Sequence, residues 1–412
     1  MRFPARGQHW PLLVSQCVLV SGLALSFPFF ALYLHGVRGL PMSLVGAALC
    51  ATLTITALTQ VVGGELSDLL GSKPVMQAAV GAYALMAALM AWAMAREAPV
   101  WLLIAIHILA GFCGSFFNSA VRCWVAASCP VRERLVSYGR LRVAINLGWA
   151  VGPALGGVMA QKSYALLFAV ASAACLACLA LVHWTVANPP RLRAGSRFSW
   201  RETFSAASDR RFLRFCVLGF LISVVIAQLV VSLSVHSVRY VGLTEAQVGR
   251  LFTLNGILVV LAQSFISARL KGLSLCSGLA AGCLFYAAGY GWAGFAWSFP
   301  LMALAVAVVT LGELVVSPGL QALAANLAPE KYQGRYVGFH GLALQLGGAC
   351  GPLFGGFALQ ALSPRWSPAP WLAVAALGVL AALGFHRFKR ELRPGEDGLH
   401  EPALPGPELS PV

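Results

Sequence analysis

The chain has 412 residues, of which 59% are hydrophobic and only 10% charged, with a formal net charge of +15 and a mean hydropathy of +0.77. A soluble chain carries roughly 25% charged residues to clothe its surface, so this composition excludes a soluble globular protein and makes lipid the main solvent. The basic residues fall mostly in short gaps between apolar runs, which is how membrane topology is set, and this argues against a nucleic-acid partner.

Crossing the hydrocarbon takes about 20 apolar residues as a helix. Twelve windows qualify in chain order: 11–34, 44–65, 74–95, 99–127, 141–161, 164–187, 212–235, 248–268, 273–295, 298–327, 336–361 and 369–387. The first is longer than a signal-peptide core and reads as a retained span. The predicted fold is an all-α integral membrane protein with twelve transmembrane helices. Its expected division is an N-terminal six-helix bundle (1–187), a Pro- and Arg-containing cytoplasmic linker (188–211), a C-terminal six-helix bundle (212–390) and a Pro-rich, disordered tail (391–412). An even span number puts both termini on one side. Counted on that basis, 21 of the 29 basic residues lie on the side of the termini and 6 opposite. That bias predicts a bacterial inner-membrane protein with both ends cytoplasmic.

The eleven cysteines sit in or at the ends of apolar runs and form no disulfide framework. Cys175 and Cys178 make a CxxC inside such a run and read as small packing residues. With no nucleophile motif, metal cluster or phosphate loop, the sequence predicts neither an enzyme nor a bound metal or cofactor.

The chain repeats itself. Gly148, Gly152, Pro153, Gly156 and Gly157 in the fifth window recur as Gly347, Gly351, Pro352, Gly355 and Gly356 in the eleventh, both fitting GxxxGPxxGG at an offset of 199 residues. Pro130 and Pro329 share that offset. Two pseudo-symmetric six-helix bundles follow. Glycines four apart make a smooth ridge that admits a neighbouring backbone, and proline bends the helix between them. A packing groove explains one ridge; two matched ridges point to a hinge or seal between halves.

These motifs resemble the major facilitator superfamily and, within it, the twelve-span drug–proton antiporters, whose antiporter signature the fifth-window run is similar to. After the second window, Gly64, Asp68, Gly71 and Lys73 match part of the superfamily's loop signature, while Leu69 and Ser72 stand where basic residues are expected. Ala127 likewise replaces the acid that would pair with the first of them, so both partners are apolar together. The resemblance implies a gate at Asp68, near the start of the eleventh helix.

Polar residues within spans are costly and usually face a cavity or partner. His107, Gly111, Gly114, Asn118 and Arg122 share one face of the fourth helix, Gln228, Ser232 and His236 one face of the seventh, and Glu313, Ser317 and Gln321 one face of the tenth. The resemblance implies that these helices line a central pathway. Glu313 is the one acid deep within a proposed span, about 20 Å of helix rise from either end, where a carboxyl can alternate between protonated and charged forms. His107 reads either as a switchable charge or as an interhelical hydrogen-bond donor. Arg122 could meet an anion, contact Asp68 or snorkel inward. Arg142, with Asn146, reads as a helix-end anchor. The resulting expectation is a monomeric secondary transporter that exports a small drug-like or metabolite solute in exchange for protons. The alternatives are a facilitator or proton symporter for a sugar or organic metabolite, and a non-transporting membrane sensor or assembly protein.

Overall fold

The computed structural model describes residues 10–128, 131–187, 205–270, 273–329 and 333–399, and the regular structure among them is helical throughout. The helices are α1 (Trp10–Val37, ending in a π turn over Tyr33–Val37), α2 (Met42–Leu70), α3 (Ser72–Ala95), α4 (Val100–Ser128), α5 (Val131–Ala160) and α6 (Tyr164–Thr185). Then follow α7 (Arg210–Arg239), α8 (Glu245–Leu270), α9 (Leu275–Ala293), α10 (Phe299–Leu327), α11 (Gln333–Leu362) and α12 (Ala369–Phe388).

Eleven of these helices are long and apolar enough to cross a membrane. The twelfth is α9, whose 19 residues rise about 28 Å. Four glycines and the rings of Tyr286, Tyr290 and Trp292 dilute its hydropathy. The glycines explain themselves by contact: a Cβ at Gly282 or Gly289 would strike Val316 or Val309 of α10. Small residues that let backbones approach closely are the usual means of joining helices in lipid.

Two girdles of exposed tryptophan mark the bilayer faces, where amphipathic rings settle. Trp10 and Trp184 lie toward the end that holds the termini, and Trp92, Trp101, Trp297 and Trp366 toward the opposite, distal end.

Helices α1–α6 and α7–α12 make the same contacts in the same order. α1 packs on α5 and α6, α3 on α4 and α6, and α2 on α4; α7 packs on α11 and α12, α9 on α10 and α12, and α8 on α10. The halves meet chiefly where α2 crosses α11 and α5 crosses α8.

The glycine motif serves both kinds of contact. Gly148, Gly152 and Gly156 face α1, where a Cβ would meet Val20, the Ser21 carbonyl and the Leu25 carbonyl in turn. Gly347, Gly351 and Gly355 face α7 in the same way, against Phe220, Ala227 and Ser232. The last glycine of each motif points elsewhere. Gly157 abuts the Glu245 and Ala246 backbone at the start of α8, and Gly356 abuts Met42 at the start of α2. Reciprocally, Gly249 of α8 meets the Pro153 carbonyl and Gly46 of α2 the Pro352 carbonyl. Each ridge is thus internal to its half, and the glycine–proline contacts between halves lie beside it on a second face.

Two expectations change. The seventh span is not one continuous helix: Arg210–Ile226 and Ser232–Arg239 flank a 3-10 turn at Ala227–Leu229. The Gln228 side chain crosses this break, donating to the Val224 and Gly351 carbonyls at 2.8 and 2.9 Å and accepting from Ser232 at 2.6 Å. The expected disordered tail is folded over residues 391–399. There Glu396 pairs bidentately with Arg211 at 2.7 and 3.0 Å, Glu391 pairs with Arg214 at 2.6 Å, and buried Asp397 accepts from the Cys276 N–H at 2.8 Å. An acid at that place offsets the unsatisfied amides and the dipole at the start of α9. Residues 400–412 and most of the linker lie outside the described residues.

Candidate functional site

The halves are sealed at the distal end and separate toward the terminal end. One apolar cluster joins Phe29, Phe30, Leu34, Met42 and Val45 of the first half to Val231, Val235 and Leu359 of the second. Further along, each half has its own core, centred on Trp124 and Phe117 in one and on Phe215 and Tyr286 in the other. The polar stripes follow this gradient. On α4, His107 is buried, Asn118 half-buried and Arg122 exposed; on α10, Glu313 and Ser317 are half-buried and Gln321 exposed. A cleft therefore opens between the halves toward the terminal end.

At its head lies a polar cluster built from three helices. Asn255 of α8 donates through Nδ2 to the Thr310 hydroxyl at 2.9 Å and to Glu313 Oε2 at 3.0 Å, both on α10. Arg142 of α5, on the other half, donates through Nη2 to Ser317 Oγ at 2.6 Å and lies close enough to act electrostatically on Glu313. Glu313 and Ser317 are one helical turn apart, so acid and base face the same stretch of α10. Behind Glu313 stand the buried rings of Tyr286 and Tyr290 on α9.

The expected site residues divide. Glu313 and Ser317 belong to this cluster, and Gln321 continues their face toward the cleft mouth. Asn118 meets Gln16 of α1 through a 3.4 Å hydrogen bond and remains on the cleft stripe of α4 with Arg122. Two others do not join. His107 stacks on Phe30 with ring centroids 4.2 Å apart, beside Phe27, and its Nε2 has no hydrogen-bond partner. Gln228 is 0% exposed, with its amide committed to the break in α7. At the expected gate, the surroundings of Gly64 and the Asp68 side chain lie outside what the structure describes. Gly71 ends α2 at φ +95°, which suits glycine alone. Lys73 stays in its own half, donating to the His183 carbonyl of α6 at 2.8 Å.

Arg142 is no helix-end anchor, since it reaches across the cleft. Spacing could have suggested this: Arg142, Asn146, Ala150, Pro153 and Gly157 share the α5 face whose last three members touch α8. Asn255 was missed. Its signal was a carboxamide in the middle of the apolar run of α8, a costly placement without a partner.

The comparisons with known proteins agree with this architecture. The family model for the Major Facilitator Superfamily matches residues 12–349 and again 229–408. The chain is 26% identical over 387 residues to the uncharacterized MFS-type transporter YdeE of Escherichia coli, covering 93% of this chain and 95% of the relative. It is 25% identical over 388 residues to the multidrug resistance protein MdtH of Klebsiella pneumoniae, covering 90% and 92%. Among solved structures, a single-residue mutant of the nucleoside transporter NupG superposes with a TM-score of 0.78 at 11% identity over 93% of this chain and 100% of that one. A POT family transporter in complex with 5-aminolevulinic acid gives 0.77 at 12% identity over 93% and 96%. Two matched six-helix halves, a cleft between them and a family match along nearly the whole chain lead to one conclusion: this protein is a transporter of the major facilitator superfamily.

Proposed function

We propose that the protein exports a small drug-like or metabolite solute across the bacterial inner membrane in exchange for protons, with Glu313 as the group that carries the proton. The observation behind this reading is the placement of one acid at the closed head of a cleft, held by Asn255 from the neighbouring helix. A carboxyl there gains or loses its proton when the cleft faces one side or the other. With both termini cytoplasmic, as the basic-residue bias indicates, the cleft opens to the cytoplasm and the distal seal closes the outer face. The resemblance to proteins named for multidrug resistance supports a drug-like solute. The glycine–proline contacts between halves let them rock about the cleft, since they bring backbones together without interlocking side chains.

The test screens dyes, antibiotics and metabolites for efflux from cells lacking their major exporters, and then compares efflux of a transported solute between wild type and Glu313→Gln, with and without a protonophore. Efflux that ignores the protonophore, or that survives the substitution, removes proton antiport at Glu313. Proton and solute moving the same way in loaded vesicles would make the protein a symporter instead.

A further inference from the structure

We infer that the exported solute is amphoteric, carrying a cationic group for Glu313 and an anionic group for Arg142. This rests on the proposed role of Glu313 and adds the chemistry of what displaces its proton. The acid and the base belong to opposite halves and meet the same turn of α10. Arg142 donates to the neutral Ser317 hydroxyl at 2.6 Å, a contact that uses one N–H of a fork shaped for the two oxygens of a carboxylate or phosphate. No ion pair within 4.0 Å joins Arg142 to Glu313; among the described residues the ion pairs are Arg211–Glu396 and Arg214–Glu391. Glu313 is likewise held through a neutral amide on one oxygen, Oε2. Each charge is steadied by a neutral neighbour, and both residues are half-buried.

The charge arithmetic then selects the guest. A purely cationic solute would displace the proton from Glu313 but meet repulsion from Arg142. A purely anionic solute would pair with Arg142 best when Glu313 is protonated, so proton and solute would bind together and travel together, against exchange. A solute with both groups replaces the proton on Glu313 with its own cation and gives Arg142 an anion, leaving the site neutral. The four-residue step from Glu313 to Ser317 sets its charges roughly 6 Å apart along the cleft. Among the described residues, the other titratable or charged groups near this space are Tyr286 and Tyr290 behind Glu313, and Arg122 toward the mouth on α4. His107 is turned against Phe30.

The experiment uses the full-length protein in lipid nanodiscs and three probes on one aromatic frame: tyramine as the cation, 3-(4-hydroxyphenyl)propionate as the anion and tyrosine with both groups. Each probe is titrated against the thermal unfolding of the wild type. Tyrosine is expected to stabilise the protein at concentrations at least tenfold lower than either single-charge probe. Arg142→Gln should weaken tyrosine by about ten- to a hundredfold, the weight of a charge-assisted two-pronged contact, and leave tyramine at least as strong. Arg142→Lys, which keeps the charge but loses the fork, should fall between and covers the case in which the glutamine variant does not fold. No preference for tyrosine, or a preference untouched in both variants, overturns the inference. Proton release on tyramine binding, read with a pH-sensitive dye, should be lost in Glu313→Gln and persist in Arg142→Gln, which separates the two roles. If Glu313→Gln keeps its coupling while tyrosine still depends on Arg142, the proton assignment fails and solute recognition stands.

Discussion

On α8 and α10, Asn255 bridges Thr310 and Glu313; the corresponding places on α2 and α4 hold Thr52, Gly111 and Gly114. The correspondence is fixed by contacts. Gly46 meets Pro352 as Gly249 meets Pro153, and Gly356 meets Met42 as Gly157 meets Glu245, which aligns Thr52 with Asn255. The Pro130–Pro329 offset aligns Gly111 with Thr310 and Gly114 with Glu313. In the first half these positions are filled sterically: a Cβ at Gly111 would strike Thr52 and Thr56, and one at Gly114 would lie 3.1 Å from the Tyr83 ring. In the second half the same helix pair is opened by polar side chains that bond one another. One helix plan therefore yields a glycine-packed wall on one side of the cleft and a hydrogen-bonded polar cluster on the other. Arg142 is asymmetric too, since its counterpart on α11 is Gly341, beside which there is open space.

Exchanging the matched residues attacks this contrast most directly. Glu313→Gln should reduce proton-driven efflux to background, a loss of about a hundredfold or more, with the unfolding temperature little changed. The double exchange Glu313→Gly with Gly114→Glu should stay inactive, because the Tyr83 ring occupies the space a new carboxylate would need. Recovery of pH-gradient-driven solute efflux in that variant would mean that the halves are chemically interchangeable.

The next largest effects concern the ridges, where the halves are alike. Gly152→Leu and Gly355→Leu should each cost about 1–3 kcal/mol or more through overpacking, in the first case against α1 and in the second against α7, seen as loss of folded protein after detergent extraction. Gly348→Ala, with nothing within 4 Å, should change stability by less than about 0.5 kcal/mol. Gly157→Ala and Gly356→Ala act between the halves. They should leave each half folded yet hinder distal closure, raising the labelling of an introduced distal-face cysteine and lowering flux. Equal loss of folded protein in both classes would erase the distinction between ridge and seal.

A smaller effect separates the helix pairs. Asn255→Leu removes a hydrogen bond to a carboxylate worth about 1.5 kcal/mol, which predicts roughly tenfold slower proton-coupled efflux. Thr52→Val, its counterpart, keeps the methyl group against Gly111 and should stay within about twofold. If the two substitutions slowed efflux equally, the second half would lose its claim to the chemistry.

How far the sequence foretells this depends on the type of signal. Hydropathy and the duplicated GxxxGPxxGG run locate all twelve helices and the internal symmetry, because lipid imposes a long apolar run on every span and close backbone contact imposes glycine. Glu313 and Ser317 are legible because an acid in mid-span is expensive. Arg142 is not, because an arginine near a helix end has a cheap explanation, and only the crossing of α5 with the other half shows that it reaches Ser317. His107 and Gln228 mislead for the complementary reason. A helical stripe gives the face a residue occupies but not whether a ring from α1 or a break in α7 absorbs it. The folded segment 391–399 is hidden by its own composition, since its proline and charges read as a solvated tail until Arg211 and the first turn of α9 supply partners.

That segment is also the last difference between the halves and the weakest in energy. It ties α7 to α9 through Glu396 and Asp397, and the Glu396 carbonyl accepts from Asn326 of α10 at 3.0 Å. At the same end of the first half, the links among the described residues include the Lys73 and Gln77 contacts to His183 of α6 and a Trp124 hydrogen bond to the Ala187 carbonyl. Burial raises the Glu396 carboxyl, but the Arg211 hydrogen bonds and the Arg393 N–H outweigh it and hold the group below its ordinary range. A depressed carboxylate contributes stability that is complete above its unfolded value, about 4.3, and is lost as pH falls through the folded value. Because Arg211 is about one-third exposed, the pair is worth no more than about 1 kcal/mol. Glu396→Gln should therefore lower the unfolding temperature by no more than about 1 °C at pH 6, and the gap to the wild type should close as both are taken below pH 4. A gap that persisted in acid would mean that the segment is held by its backbone and Asp397, with the Arg211 pair contributing nothing.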